Sequence, residues 1–202
     1  MTDFYSRLLG VLSYCDKNCE DKVKLLSETY SDFSSIAKTD ATVTDAVCGE
    51  KISAMIRVMS AIAGRITTDK FKFGRTHTEK ELFEFLIGYY FDIVNETVLL
   101  LPIDKQNRIV SAEIIVEGTV NFSGVLTRKL LEIMIRTGAK SAILVHNHPG
   151  GNAVASAEDI ETTRIVSQLL KASDMNLVCH YIVAGNKITR LNPDSEKSKG
   201  NN

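Results

Sequence analysis

The residues able to do chemistry in this 202-residue chain crowd into one stretch, His146-Asn-His148-Pro-Gly-Gly-Asn-Ala-Val-Ala-Ser156-Ala-Glu-Asp159. His146 and His148 are two apart, so at an extended strand end their imidazoles point to one side and can chelate a single cation. The apolar run Ser141-Ala-Ile-Leu-Val145 reads as the short buried strand that delivers them. Pro149-Gly150-Gly151 then forces a turn, and Ser156-x-x-Asp159 reads as a capping box that places Asp159 in the first turn of a helix. Two imidazole nitrogens and one carboxylate oxygen leave one position of a tetrahedral zinc ion open for water, as a hydrolytic site requires. Zinc would bring the pKa of that water towards about 7. A capping box needs no metal, and His-x-His on its own is weak; it is the two together, joined by a tight turn, that point to a metal site.

Hydrolysis also needs a carboxylate to take the water's proton and pass it to the leaving amine. Three glutamates qualify: Glu96, just before the apolar run Thr97-Val-Leu-Leu-Leu-Pro-Ile103, and Glu113 and Glu117 on the next strand-like run. Spacing does not choose among them, because strand pairing sets their distance from the histidines. His180, inside Leu177-Val-Cys-His-Tyr-Ile182, reads as a satisfied half-buried histidine in preference to a site residue, and His77, among polar residues, reads as solvated. Tyr89, Tyr90 and Phe91 read as packing, not as a base-stacking surface. Cysteines at 15, 19, 48 and 179 form no CxxC pair, and Cys15 and Cys19, four apart, read as small core residues on one helical face.

The elements around these residues follow from periodicity. Residues 1–66 read as three or four short helices, with Phe4, Leu8, Leu9 and Leu12, then Val23, Leu26 and Tyr30, then Ile56, Met59 and Ile62 at helical spacing. Residues 67–77 form the best linker, and Thr78 with Glu81 opens the next helix. Thr97–Ile103 and Arg108–Val116 are expected to form an antiparallel hairpin about Asp104–Asn107, with Pro102 at an edge or bulge. A helix over Val125–Thr137, one over Ala157–Ser173 and a strand over Asn176–Ile182 complete the pattern, and the polar tail 194–202 is expected to be disordered. Helices first, then strands and helices intermixed, imply an α/β or α+β domain behind a small helical one.

Composition sets outer bounds. At 44% hydrophobic and 24% charged residues, the chain has the profile of a globular protein. It has no run of roughly 20 apolar residues and no secretory start at MTDFYSRLLG, so a cytoplasmic protein without a membrane partner is expected. The net charge of −1 gives no global field to recruit nucleic acid.

The string His146-x-His148-Pro149, then Ser156-x-x-Asp159 with ten residues between His148 and Asp159, resembles the JAMM motif of JAB/MPN metalloproteases. From about 79 to 192 the chain is similar to the bacterial RadC family, through NETVLLLPIDKQNRIV, EGT, TRKLLEIMIRTGAKSAILVHNHPGG, SAEDIETTR and CHYIVAGNKI in that order. The resemblance implies a JAB/MPN-like (cytidine-deaminase-like) mixed-sheet domain over 78–193 and a zinc metallopeptidase-like hydrolase. His146, His148 and Asp159 would bind Zn2+. The family's glutamate stands eight residues before the hairpin aspartate, which lands on Glu96 ahead of Asp104, so Glu96 would be the general base. Ser156 would help polarise the scissile carbonyl or the water. That water would attack a peptide or isopeptide carbonyl without a covalent enzyme intermediate.

The family's historical DNA-repair label gives the alternative, a factor that binds DNA or a replication protein. Residues 1–66 weakly resemble a degenerate helix-hairpin-helix region, with Gly49 near the expected hairpin. Nine Lys or Arg against ten Asp or Glu in residues 1–70 give a net of −1, which gains little from phosphate. A catalytically idle scaffold is disfavoured because every ligand is kept. The chain has Pro149-Gly150-Gly151 and Ala153-Val-Ala155 where the family usually has Pro-Ser-Gly and a proline-rich loop, so the loop beside the metal is more flexible.

Overall fold

The computed structural model describes residues 3–14, 16–30, 33–37, 39, 41–118 and 124–193. Two compact units emerge, Met1–Thr68 with Gly88–Val94, and Asp69–Ile87 with Asn95–Asn202. The expectations for Cys15 and for the tail 194–202 fall outside the described residues, as do the side chains of Phe4 and Leu126. No helix among the described residues is long and apolar enough to cross a membrane.

The first unit holds α1 (Asp3–Leu12), α2 (Cys19–Thr29), α3 (Phe33–Ala37), α4 (Ala41–Cys48) and α5 (Glu50–Lys70). Positions three and four apart on each helix supply its core: Tyr5, Leu8 and Leu12 from α1, Cys19, Val23 and Leu26 from α2, and Ile52 and Ile56 from α5. Residues 67–70, expected as linker, are the last turn of α5. No glycine or proline interrupts the helix there, and the hydroxyls of Thr67 and Thr68 bond back to the carbonyls of Ala63 and Arg65. Gly88–Val94, expected within the second domain, groups instead with these helices. Gly88 lies so close to α5 that a Cβ there would come 2.5 Å from Thr67 Cβ. Tyr90 is fully buried, in keeping with a packing role.

The second unit opens with α6 (Glu79–Tyr89), whose capping box pairs the Thr78 N–H with Glu81 Oε2 at 2.9 Å and the Glu81 N–H with Thr78 Oγ1 at 3.2 Å. His77 is not solvated. Its ring stacks 3.8 Å from Phe71, and Nε2 donates to the Lys72 carbonyl at 2.9 Å, so an aromatic neighbour removes from water a side chain that its polar sequence surroundings would expose.

Five strands follow: β1 (Thr97–Ile103), β2 (Glu113–Glu117), β3 (Ser141–Asn147), β4 (Asn176–Ala184) and β5 (Lys187–Leu191), with α7 (Gly124–Thr137) and α8 (Ala157–Ala172) between them. The sheet order is β2-β1-β3-β4-β5. Only β3 and β4 run parallel, with α8 as their crossover, so the sheet is mixed and the class is α+β. β1 is buried along its whole length, which explains its unbroken apolar run. Leu100 and Leu144 of the sheet, Leu130 and Met134 of α7, and Val166 and Leu170 of α8 share one core.

The hairpin differs from expectation in two respects. Its second strand starts at Glu113 and not at Arg108, because residues 108–112 make only isolated pairings, Ile109 with Ile103 and with Arg75. Pro102 lies in an interior strand, not at an edge. Its carbonyl accepts from the Val110 N–H at 2.9 Å, so its missing N–H faces the stretch where the β2 ladder has ended and the β3 ladder loses nothing. β5, beyond the Gly185-Asn186 turn, has no counterpart among the expected strands. Cys19, Cys48 and Cys179 are buried free thiols, as small core residues should be.

Candidate metal centre

β3 carries His146 near its end, and His148 follows one residue beyond, where its N–H donates to the Val183 carbonyl at 2.8 Å and prolongs the parallel ladder. The extended backbone brings both imidazoles to one side, with the two Nε2 atoms 2.9 Å apart. The chain turns through Gly151, which adopts a φ of +80°, and enters α8 at Ser156. The expected capping box is present: the Asp159 N–H donates to Ser156 Oγ at 3.1 Å, while Asp159 Oδ2 accepts from the Ser156 N–H at 2.7 Å and from its hydroxyl at 2.8 Å. With Oδ2 so engaged, Oδ1 is left facing His146 Nε2 at 3.0 Å.

Glu96 joins this group, its Oε1 4.0 Å from His146 Nε2 and its side chain 37% exposed. Among the described residues Glu96, His146, His148 and Asp159 form the one cluster able to hold a metal, their ligand atoms all within 4.8 Å of one another. Glu113, the second candidate base, is paired with Arg136 at 3.0 Å, and Glu117 is not part of the cluster. Asn147, between the two histidines and facing the opposite way, fixes the position of Glu96. Its Oδ1 accepts from the Thr97 N–H at 2.7 Å and its Nδ2 donates to the Asn95 carbonyl at 3.1 Å, tying both neighbours of Glu96 to β3. Sequence reasoning missed Asn147; a buried amide flanked by the histidines of a strand end was the available signal.

His148 Nδ1 lies 2.7 Å from the Asn152 carbonyl, which can only accept, so Nδ1 carries the proton and Nε2 presents a lone pair to the cluster. Burial alone would raise the Asp159 carboxyl, but the hydrogen bonds from His146 and Ser156 outweigh it and hold the group well below the usual carboxylate range. Asp159 is therefore an anion ready to ligate. Bonds of about 2.05 Å at a tetrahedral zinc place ligand atoms about 3.3 Å apart. From His146 Nε2, the His148 Nε2 at 2.9 Å and Asp159 Oδ1 at 3.0 Å lie a few tenths of an ångström inside that value, and His148 Nε2 is 3.4 Å from Asp159 Oδ2. The donor set fits a divalent cation.

His180 is fully buried, not half-buried, and it touches the site. Its Nε2 lies 2.8 Å from His146 Nδ1, and its Nδ1 lies 2.7 Å from Thr163 Oγ1. Burial, with His146 adding to it, pushes its pKa down to about 3. For Thr163 a sequence signal existed, since it stands four residues after Asp159 and so shares its helix face. For His180 the signal needed the parallel pairing of β4 with β3, which no local pattern reveals.

Residues 76–196, which contain all of these groups, match the family model of the RadC-like JAB domain. A UPF0758 protein of Finegoldia magna is 32% identical over 176 residues, covering 83% of this chain and 78% of the relative. A UPF0758 protein of Desulforamulus reducens is 38% identical over 109 residues, 54% of this chain and 46% of the relative. One from Photobacterium profundum is 34% identical over 97 residues, 48% of this chain and 43% of the relative. The chain thus spans about half the length of the latter two.

Proposed function

Since this chain belongs to the RadC family of JAB-domain proteins, we propose that it is a zinc-dependent hydrolase of peptide or isopeptide bonds, the ion held by His146, His148 and Asp159. The observation that carries the reading is the convergence of two imidazole Nε2 atoms and Asp159 Oδ1 beside a partly exposed Glu96. When bound, the cation supplies Lewis acidity to a water and to the substrate carbonyl. Glu96 takes the proton from the attacking water and returns it to the leaving amine; its exposure lets solvent and substrate reach the carboxylate. Asn147 keeps Glu96 beside the histidines during this transfer by holding the backbone on either side of it. Ser156 acts first through Asp159, and it polarises a substrate carbonyl only if its hydroxyl leaves Oδ2.

No observation favours the DNA-binding alternative. Lys22 and Arg57 in the helical unit are paired with Asp16 and Asp45, and residues 1–70 hold nine basic against ten acidic side chains. The test is calorimetric titration of the metal-free protein with zinc, followed by hydrolysis assays on a panel of peptide and isopeptide substrates with wild type and Glu96→Gln. One zinc per chain is expected. A wild-type protein that takes up no divalent ion, or a Glu96→Gln protein as active as wild type, would overturn the corresponding part of the reading.

A further inference from the structure

We infer that Thr163 and His180 are positioning residues that form a hydrogen-bond relay, starting from the main chain of Asp159, which fixes the tautomer of His146 and so aims its Nε2 lone pair at the cation. The inference rests on the metal site proposed above.

The direction of every bond follows from one end. The Asp159 carbonyl oxygen can only accept, so the Thr163 hydroxyl, 2.6 Å away, donates to it. That hydroxyl has a single hydrogen. Towards His180 Nδ1, at 2.7 Å, Thr163 therefore accepts, and Nδ1 of His180 carries the proton. A second proton on His180 would place a charge in the core, so its Nε2 is bare. His146 Nδ1, 2.8 Å from that bare nitrogen, must then donate. With a proton held on Nδ1, a His146 that gives up to an incoming cation the Nε2 hydrogen it shares with Asp159 is left neutral, with its Nε2 lone pair on the side facing His148 and Asp159.

Metal-bound imidazoles commonly donate their other N–H to a carbonyl or carboxylate that fixes ring and tautomer. For His148 that acceptor is the nearby Asn152 carbonyl. For His146 the carbonyl is that of Asp159, reached through two side chains, so one residue contributes its carboxylate to the cluster and its main chain to the orientation of another ligand. The relay joins β3, β4 and α8, the parallel pair of strands and their crossover. A rotation of α8 that moved the Asp159 carboxylate would also break the relay.

The test uses the full-length, 15N-labelled, metal-free chain. Long-range 1H–15N correlation spectra report which nitrogen of each ring is protonated, and zinc affinity is measured by competition with a chromophoric chelator. Wild type is expected to show Nδ1–H at both His146 and His180. Thr163→Val, which keeps the volume and removes the hydroxyl, is expected to give mixed or reversed tautomers at His180 and His146 and to weaken zinc binding about 10- to 100-fold. Thr163→Ser is expected to restore both. A wild-type His146 without a proton on Nδ1 would overturn the relay whether or not any variant folds. Unchanged tautomers and affinity in Thr163→Val would do the same. If wild type has the expected tautomers but binds no zinc, the metal site fails and the relay stands.

Discussion

Both units bury polar groups, and they dispose of them in opposite ways. In the helical unit, apart from the Tyr5 hydroxyl, which crosses to the Tyr30 carbonyl at 2.7 Å, such groups close on a local partner: Thr44 with Ser53 at 2.7 Å, Ser60 with the Ile56 carbonyl, the Cys48 thiol with the Thr44 carbonyl. These local partners also lie close in sequence, four to nine residues apart. In the sheet unit the partners lie far away, 34 residues between His146 and His180 and 50 between Thr97 and Asn147. Their bonds use up the back of each ring and leave the front nitrogens and Asp159 Oδ1 facing one another. A polar group bonded on every side stabilises a fold, whereas one bonded only from behind is directed at a ligand.

The sharpest break of this comparison is Glu96→Gln. The substitution keeps size and backbone, so zinc should still bind, while loss of the proton carrier should lower hydrolysis about 10²- to 10⁴-fold. Stopped-time assays paired with metal analysis check both halves. Retained activity would move the proton transfer to another group. Next in size is the stability gained from the cation. Zinc at about 1,000 times its dissociation constant should stabilise the sheet unit by about 4 kcal/mol, read as amide-exchange protection, with no gain for helices α1 to α5. Equal protection of both units would erase the contrast.

The way the two units are written into the chain explains what was legible in it. His146, His148, Ser156 and Asp159 fall within one turn-linked stretch, so strand period and capping chemistry suffice to bring them together. Glu96 reaches them only through the pairing of β1 with β3, where Val98 faces His146, and nothing local to Glu96 encodes that register. The family pattern chose it over Glu113 and Glu117. His180 and Thr163 were invisible as a pair for the same reason, and His77 was misread because Phe71 covers it from six positions away. In the first unit α1, α2 and α5 were legible because their core follows local periodicity, whereas α3 and α4, which make five helices among the described residues where three or four were expected, each give that core a single residue, Ile36 and Cys48. The end of α5 was not, since Thr67 and Thr68 satisfy themselves within the helix and imitate a polar linker.

Acid should separate the units by a comparable amount. All four histidines, at 77, 146, 148 and 180, lie outside the helical unit. His180 has its folded pKa lowered to about 3 from a value of 6.5. As pH falls below 6.5 the unfolded chain takes a proton that the folded chain refuses, so stability present above that pH drains away down to about 3. The slope is one proton, about 1.4 kcal/mol per pH unit. Asp159, with its carboxyl held low, adds loss in the same direction only below the ordinary carboxylate range. Urea unfolding of the metal-free protein, followed by amide signals of each unit, should show the slope between pH 6.5 and the carboxylate range in the sheet unit alone, and His180→Gln should remove its one-proton component. A wild-type sheet unit with flat stability between these limits would mean that His180 accepts its proton while folded.

The smallest expected effect comes from the other side of the comparison. Ser53 Oγ accepts from Arg57 at 2.6 Å, so its own hydroxyl hydrogen is available to Thr44. Thr44→Val removes one buried hydrogen bond at constant volume and leaves Ser53 with Arg57, a loss of about 1 kcal/mol. Because Ser53 and Arg57 both sit on α5, zinc affinity should not change, and calorimetric titration of the variant checks it. A weakened zinc site in Thr44→Val would show that the helical unit's locally closed hydrogen bonds are coupled to the metal centre after all, and the two units could no longer be read as separate solutions to the burial of polar groups.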